Sequence, residues 1–391
     1  MRTGNYLCFF EVIILIYLDN AATTGKKPVS VINAVNFTLQ NFNANPGRSG
    51  HELSVKVAEE IFKCRRNIKD FFNVSSENNV CFTYNCTQAI NMVLKGVIND
   101  GDHIIISSLE HNAVYRPVNY LVKEKNIKFD IAEVNLINDD LTLKNFEKLI
   151  NKKTKMIFVT ASSNVIGKKL PLKQIGNLCR KYNILFGVDA AQGAGIFEID
   201  IKEMNIDFLC LAGHKGFYAP TGIGALIAEK NIENILISGG TGVGSKEAFQ
   251  PTDMPERLES GTQNIPGILG LNAGVNFVKT KNIRKIEAHE IKLIQHLYTE
   301  LKKIGAKLYT PFPYQKSYSP VLSFNISGRT SDDVGNILNK ENIAVRTGMH
   351  CSPLAHRQLG TSQIGTVRVS PSIFNNFDEI DRLIFVVKRI I

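Results

Sequence analysis

From about residue 80 onward, short apolar, β-branched runs alternate with longer stretches whose apolar residues recur at three- and four-residue spacing. The runs predict strands at Val80 to Tyr84, His103 to Ser107, Met156 to Thr160, Ile184 to Val188, Phe208 to Leu211 and Gly224 to Ile227. Continuous apolar strands separated by helices are the mark of βαβ units, so the expected fold is α/β with a mostly parallel central sheet. Past the Gly-rich stretch Ser238 to Ser245 and the turn at Ser260 to Gly267, the pattern changes. It predicts one long helix from Ile268 to about Ile304, strands near Val321 to Ile326 and Ile343 to Arg346, and a final helix opened by a capping box of Asn376 with Glu379. The final helix carries an apolar face of Ile380, Leu383, Ile384 and Val387. The expected organisation is an N-terminal segment, 1–30, packed with the smaller domain; a large domain, 31–265; and a smaller α+β C-terminal domain, 266–391. No repeat or low-complexity linker separates them.

Composition narrows the classes. The chain has 391 residues and is 44% hydrophobic, enough for two domains with substantial cores. The net charge of +10 is spread without a block of like charges, so it supplies no nucleic-acid arm, and no nucleic-acid partner is expected. Tyr6 to Leu18 is apolar but interrupted by Glu11, too short to span a bilayer and without a small-x-small cleavage site; it reads as an extension leading into a strand, with no membrane partner. The 7 cysteines are odd in number and form no Cys-x-x-Cys pair, which excludes a disulfide framework or zinc ribbon and makes a reducing cytoplasm the expected setting.

In parallel sheets ligands gather beyond the carboxyl ends of the strands, and here those ends are rich in chemistry. Phe208 to Lys215 runs from an apolar strand into Gly213-His214-Lys215. A lysine there is either a surface cation or a desolvated amine with the lowered pKa that a Schiff base requires. Leu185 to Gln192 ends another strand in Asp189, which is either a helix cap or a buried anion for a protonated pyridine nitrogen, with Gln192 in reach of the ring oxygen. Asn85-Cys86-Thr87 sits where a strand meets a helix, as a plain cap or as a phosphate site. Glu110-His111-Asn112 places an imidazole where it can stack on a planar ring and move protons.

The combination resembles the fold-type I pyridoxal-phosphate enzymes of aminotransferase class V, specifically the cysteine desulfurase and selenocysteine lyase group. Tyr17 to Thr24, Asn45 to His51, Glu110-His-Asn112, Ser163 to Gly167, Asp189-Ala-Ala-Gln192, Gly213-His-Lys215, Glu259-Ser-Gly-Thr262 and Arg346-Thr-Gly-Met-His-Cys351 stand in that group's order and spacing. The resemblance covers the chain from Tyr17. Members tend to begin near the segment that matches Tyr17 to Asn20, so the residues before it lie outside the likeness. It implies pyridoxal 5'-phosphate in Schiff-base linkage to Lys215, with Asp189 on the pyridinium and His111 stacked on the ring. It further implies Gln192 at the phenolic oxygen, Thr87 and His214 on the phosphate, and Thr262 reaching in from a second subunit of a homodimer. Asn164 and Arg368 would hold the substrate carboxylate with Arg346 nearby, and Cys351 would be the nucleophile. Two departures, Ala212 before Gly-His-Lys and Cys86 in place of a frequent threonine, put the phosphate contacts in question.

That chemistry needs a thiolate facing the substrate sulfur, which it accepts as a persulfide while the substrate leaves as alanine; Arg346 and His350 are the expected local cations. The structural alternative for Cys351 is a small buried hydrophobe, the reading given to Cys64, Cys179 and Cys210. A zinc site of His350, Cys351 and His356 has the ligand types but matches no common spacing. The expected activity is L-cysteine or L-selenocysteine to alanine, with sulfur or selenium passed from a compact loop to an acceptor protein that docks at the site. A class V aminotransferase or C–S β-lyase would use the same cofactor without Cys351. A nucleotide-binding module built on Gly239 to Gly244 is the non-enzymatic alternative; that loop lacks the strand-to-helix setting it would need.

Overall fold

The computed structural model describes residues 15–46 and 50–391. The strands are β1 (Ile16–Tyr17), β2 (Val80–Thr83), β3 (His103–Ser107), β4 (Lys128–Ala132), β5 (Thr154–Thr160), β6 (Leu185–Asp189), β7 (Phe208–Ala212), β8 (Gly224–Ala228), β9 (Lys307–Leu308), β10 (Leu322–Asn325), β11 (Ile343–Ala344), β12 (Arg346–Gly348) and β13 (Thr366–Val369). Seven of them form one sheet in the order β2-β8-β7-β6-β5-β3-β4. All neighbours in it are parallel except β8, which runs antiparallel to both β2 and β7.

Strands β2, β3, β7 and β8 are buried at every residue. Alternate residues of each strand enter separate cores. Phe82, Ile105, Ile157, Val188 and Leu209 pack with Ile61, Ile175 and Ile268 of three helices, while Cys81, Ile104, Phe158 and Cys210 pack with Ile90 and Val114 of two others. A sheet covered on both faces explains why these strands read as unbroken apolar runs. The edge strand β4, Lys-Phe-Asp-Ile-Ala, escapes that pattern because its alternate residues face water.

The predicted helix from Ile268 to Ile304 is two helices, Ile265–Lys281 and Ile283–Lys303, broken at Asn282 with φ of 69°. The first buries Ile268, Leu271 and Val275 in the core of the large sheet. From Leu293 onward the second helix packs with Leu322, Phe324, Val367 and Leu383 in a separate core. That core covers an antiparallel sheet of order β12-β13-β10-β9. The predicted strand Ile343 to Arg346 is likewise divided: β11 pairs with β1, and β12 pairs with β13. The closing helix Phe377–Lys388 has the Asn376 and Glu379 capping box, and Ile380, Leu383, Ile384 and Val387 are buried.

Ile16–Tyr17 pairs in parallel with Ile343–Ala344, and Asp19 bridges to Ser370. These contacts bring the loop Asn20 to Lys27 onto the carboxyl ends of β6 and β7, where Thr24 N–H and its hydroxyl donate to the His214 carbonyl at 3.1 and 3.0 Å. The part of Tyr6 to Leu18 before Leu15, with Cys8, lies outside the described residues, as do 47–49 of the Asn45 to His51 segment.

Candidate active site

The carboxyl ends of β2, β3, β5, β6 and β7 surround a cavity of about 220 Å³ lined by Cys86, Thr87, His111, Asn164, Asp189, Gln192, His214 and Lys215, among others. Sequence order scatters these residues over more than a hundred positions, and the parallel topology collects them because every crossover returns the chain to the same end of the sheet.

The floor of the cavity is electrostatically prepared. Burial lowers the Lys215 amine below its ordinary value against the opposing pull of Asp189, which favours the neutral nucleophilic form. Asp189 is 3% exposed. Its Oδ1 accepts from Ala191 N–H at 2.9 Å and from the Cys86 thiol at 3.3 Å. Cys86, expected to serve a phosphate, therefore spends its side chain on Asp189. Burial also holds the His111 imidazole below its ordinary value, although Asp189 pulls the other way. His111 caps the helix Asn112–Glu124, its Nδ1 accepting from Ala113 N–H at 3.0 Å, so Nε2 carries the ring proton. Gln192 is buried and donates from Nε2 to the Ala21 carbonyl at 2.7 Å.

At the other end of the cavity the helix Cys86–Val97 presents its N-terminus. Asn85 caps it by accepting from Gln88 N–H at 2.9 Å, and the Cys86 and Thr87 N–H groups belong to the first turn that a helix leaves unpaired. The Asn85 turn lies so close to β8 that a Cβ on Gly224 would meet the Asn85 carbonyl carbon at 2.9 Å and the Leu211 carbonyl oxygen at 2.6 Å. Only glycine admits that approach. His214 Nδ1 is buried without a partner, and the ring is pushed down to about 4 by burial and by Lys215 and Lys27. An orphaned ring nitrogen, a helix N-terminus, a buried carboxylate and a desolvated lysine around one cavity fit a planar, phosphorylated aldehyde with a basic ring nitrogen.

The roof comes from the smaller β-sheet. Arg368 on β13 is 3% exposed; it donates to Asp19 Oδ1 at 2.6 Å and to the Asn164 carbonyl at 2.9 Å, and its Nε is buried without a partner. Asp19 was part of a motif in the sequence but carried no role there; its carboxylate partners the arginine. The Asn164 side chain donates to the His350 carbonyl at 2.7 Å and accepts from the Ser352 hydroxyl at 2.6 Å. Those two contacts straddle Cys351, whose own carbonyl accepts from Asn112 N–H at 2.7 Å. His350 and Cys351 both have left-handed backbones, with φ of 48° and 56°. Cys351 is exposed, whereas Cys64, Cys81, Cys86, Cys179 and Cys210 are buried.

His350 is not the expected cation. It is buried, and desolvation with the nearby Arg368 charge drives its pKa down to about 2. The ring is neutral, so His350 lends no positive charge to a thiolate. Arg346 on β12 is exposed, five positions before Cys351. Among the described residues no group of three or more His, Cys, Asp or Glu could hold a metal ion, so His350, Cys351 and His356 do not assemble a zinc site. Thr262 does not line the cavity. It is exposed on the loop after Glu259, whose carboxylate is anchored by Arg65 at 2.7 and 2.5 Å and by Phe82 N–H at 2.6 Å. No helix among the described residues is long and apolar enough to cross a membrane.

Comparison with known proteins agrees with this geometry. A cysteine desulfurase structure from Thermococcus onnurineus superposes with a TM-score of 0.89 at 31% identity, over 96% of this chain and 94% of that one. A cysteine desulfurase from Escherichia coli gives 0.86 at 26% identity over 96% and 94%. In sequence, a probable cysteine desulfurase of Borreliella burgdorferi is 34% identical, the match covering 98% of this chain and 93% of the relative. The aminotransferase class-V family matches residues 16–383, and with the lysine, carboxylate and histidine of that cavity in place the chain belongs to this family.

Proposed function

We propose that this protein is a pyridoxal-phosphate-dependent cysteine desulfurase that converts L-cysteine to L-alanine and passes the sulfur from Cys351 to an acceptor protein. The observation that carries the reading is the position of Cys351: an exposed thiol on a strained turn, tied through Asn164 to the wall of a cavity built around Lys215 and Asp189. Left-handed backbone at two successive non-glycine residues costs on the order of 1–2 kcal/mol each and persists where the surroundings over-determine it, commonly at functional sites.

The residues that would hold pyridoxal phosphate are Lys215 as its attachment point, Asp189 for the ring nitrogen and His111 for the ring face. Gln192 has a second amide hydrogen for the phenolic oxygen. The Cys86 and Thr87 N–H groups, the Thr87 hydroxyl and His214 would hold the phosphate, together with Thr262 of a second subunit. Bound pyridoxal phosphate supplies an electron sink that acidifies the substrate Cα and weakens its Cβ–S bond. Arg368, with an unpaired Nε, receives the substrate carboxylate beside Asn164, with Arg346 opposite it on the neighbouring strand. Lys215 then moves the Cα proton, its lowered pKa keeping the amine free to accept it. Cys351 attacks as thiolate: an S–S bond forms, the Cβ–S bond breaks, the electron pair left on Cβ takes up a proton, and Lys215 returns a proton to Cα to give alanine. The exposed face of Cys351 leaves the persulfide open to a docking acceptor. A homodimer is part of the reading, supported by the exposed Thr262 loop and by exposed Phe37, Leu39 and Phe249. A cytoplasmic setting follows from the need for a reduced thiol.

The test is alanine and sulfide release from L-cysteine by wild type and Cys351→Ala, with an absorbance spectrum of each. Loss of desulfuration with retention of the cofactor spectrum supports the reading. Unchanged turnover by the variant assigns a C–S β-lyase, and keto-acid-dependent amino transfer assigns an aminotransferase.

A further inference from the structure

Behind the Cys351 turn lies a pair of histidines that the reaction does not use. His350 and His356 stack with centroids 5.5 Å apart and planes within 10°. His356 is fully buried in the last turn of the short helix Pro353–Gln358, and His350 is buried on the turn that precedes it. Three polar contacts run through them in series. His350 Nε2 faces the Arg346 carbonyl at 3.5 Å, His350 Nδ1 faces His356 Nε2 at 3.3 Å, and His356 Nδ1 faces the Thr361 hydroxyl at 2.7 Å. The Thr361 N–H meanwhile donates to the His356 carbonyl at 2.9 Å.

The direction of this chain is set by its ends. The Arg346 carbonyl can only accept, so His350 Nε2 carries a proton; a neutral His350 then has a bare Nδ1, which requires the proton of His356 on Nε2. His356 Nδ1 is therefore an acceptor, and the Thr361 hydroxyl donates to it. The opposite polarity would set the His350 Nε2 lone pair against the Arg346 oxygen. Burial favours neutrality of both rings, holding His356 down to about 4 and His350 lower still. The Thr361 hydroxyl also lies 3.4 Å from the His356 carbonyl, but its contact with His356 Nδ1 at 2.7 Å is much the shorter of the two.

The chain joins both arms of the turn. Arg346 lies on β12 before it, His356 and Thr361 lie after it, and His350 and Cys351 occupy the left-handed positions between. Asn164 and Asn112 grip the turn from the cavity side. We propose that His356 is a positioning residue for Cys351, acting through its Nε2 hydrogen bond to His350 to hold the two left-handed residues in the conformation that aims the sulfur at the substrate. This deepens the desulfurase reading and rests on it. A rigid donor chain is the kind of support that a strained, exposed nucleophile needs, because a misplacement of about 1 Å costs on the order of a hundredfold in rate.

The experiment compares holoenzyme of wild type, His356→Leu, His356→Gln and Thr361→Val. Two reactions are followed: single-turnover sulfur transfer to Cys351, read by mass spectrometry, and exchange of the L-alanine Cα hydrogen with deuterated water, which uses Lys215 and the cofactor but no thiol. His356→Leu should slow sulfur transfer by about tenfold or more while alanine exchange stays within about twofold. His356→Gln, which keeps an N–H of similar reach, should recover most of the loss, and Thr361→Val should show a weaker form of the same split. Nitrogen-15 spectra of wild type should place the proton on Nε2 in both rings. Wild-type sulfur transfer in both His356→Leu and Thr361→Val, an equal loss of both reactions in them, or an Nδ1 proton on either ring would overturn the inference. Absence of added sulfur on wild-type Cys351 would overturn the desulfurase reading and this inference together, and is distinguished by the wild-type arm alone.

Discussion

The floor and the roof of the cavity are built by different physics. Lys215, Asp189 and His111 stand at or beyond the ends of strands that are buried on both faces, and Lys215 and His111 are tuned by desolvation and by their neighbours' charges. Cys351 and Arg368 come from the side of the smaller sheet and are held by discrete hydrogen bonds: Asn164 donates to the His350 carbonyl, Asn112 N–H to the Cys351 carbonyl, and Arg368 to the Asn164 carbonyl. The floor is rigid because the core around it is packed; the roof is precise only while a few polar contacts persist. Damage to the floor should therefore abolish all chemistry, and damage to the roof should separate one step from another.

The largest effect is expected at the floor. Lys215→Ala should give no borohydride-stable pyridoxyl adduct and lower L-cysteine turnover by on the order of 10⁴, since the variant loses both the attachment point and the proton carrier. An adduct that survives reduction in the variant places the covalent site on another lysine. At the roof, Cys351→Ala should keep the cofactor absorbance and L-alanine exchange while L-cysteine desulfuration falls by about a hundredfold or more. Selenocysteine offers a sharper contrast, because selenolate leaves without nucleophilic help; alanine formed from it by Cys351→Ala should fall much less than from L-cysteine. Equal losses on the two substrates would count against a role confined to sulfur capture.

Arg368→Lys tests the junction between the two regions. The guanidinium bonds Asp19 and the Asn164 carbonyl at once and leaves Nε unpaired inside the protein. An ammonium cannot span those partners, so kcat/KM for L-cysteine should fall about tenfold through KM, and the urea midpoint should drop as well. A change in kcat alone, with KM preserved, would move the carboxylate site away from Arg368.

The contrast also explains what the sequence could disclose. The floor was legible because a strand covered on both faces must be an apolar run and must end in its functional residues, as Leu185 to Asp189 and Phe208 to Lys215 do. Cys351 could be singled out by its polar, turn-forming neighbours. The Asp19 pairing with Arg368, the Cys86 thiol on Asp189 and the neutrality of His350 were not legible, since each depends on a contact between segments far apart in the chain or on burial that a polar motif does not advertise. The break at Asn282 was hidden by periodicity that continues on both sides of it, although the helices serve different cores. Strand β4 was missed because an edge strand with alternate exposure has charged residues where the inner strands have isoleucine.

The smallest predicted effect concerns stability and comes from the residue beside His111. Glu110 is fully buried; its Oε1 accepts from the Ser107 hydroxyl and from Thr160 N–H at 2.9 Å, while its Oε2 has no partner. Burial raises its pKa from an ordinary 4.5 to about 8. At pH 7 the folded protein thus keeps a proton that the unfolded chain has released. Between about pH 4.5 and 8 this group makes stability decline as pH rises, with no further change from it below or above that window. Glu110→Gln has nearly the shape of the neutral acid and cannot ionise. It should match wild type in urea denaturation near pH 4.5 and exceed it by a growing margin up to pH 8, whereas the alanine variant of Cys351, an exposed residue on the roof, should leave the pH dependence of stability unchanged. Parallel wild-type and Glu110→Gln curves across that range would mean that the carboxyl is ionised in the fold, with a cationic or hydrogen-bonded partner at Oε2 that keeps its pKa low.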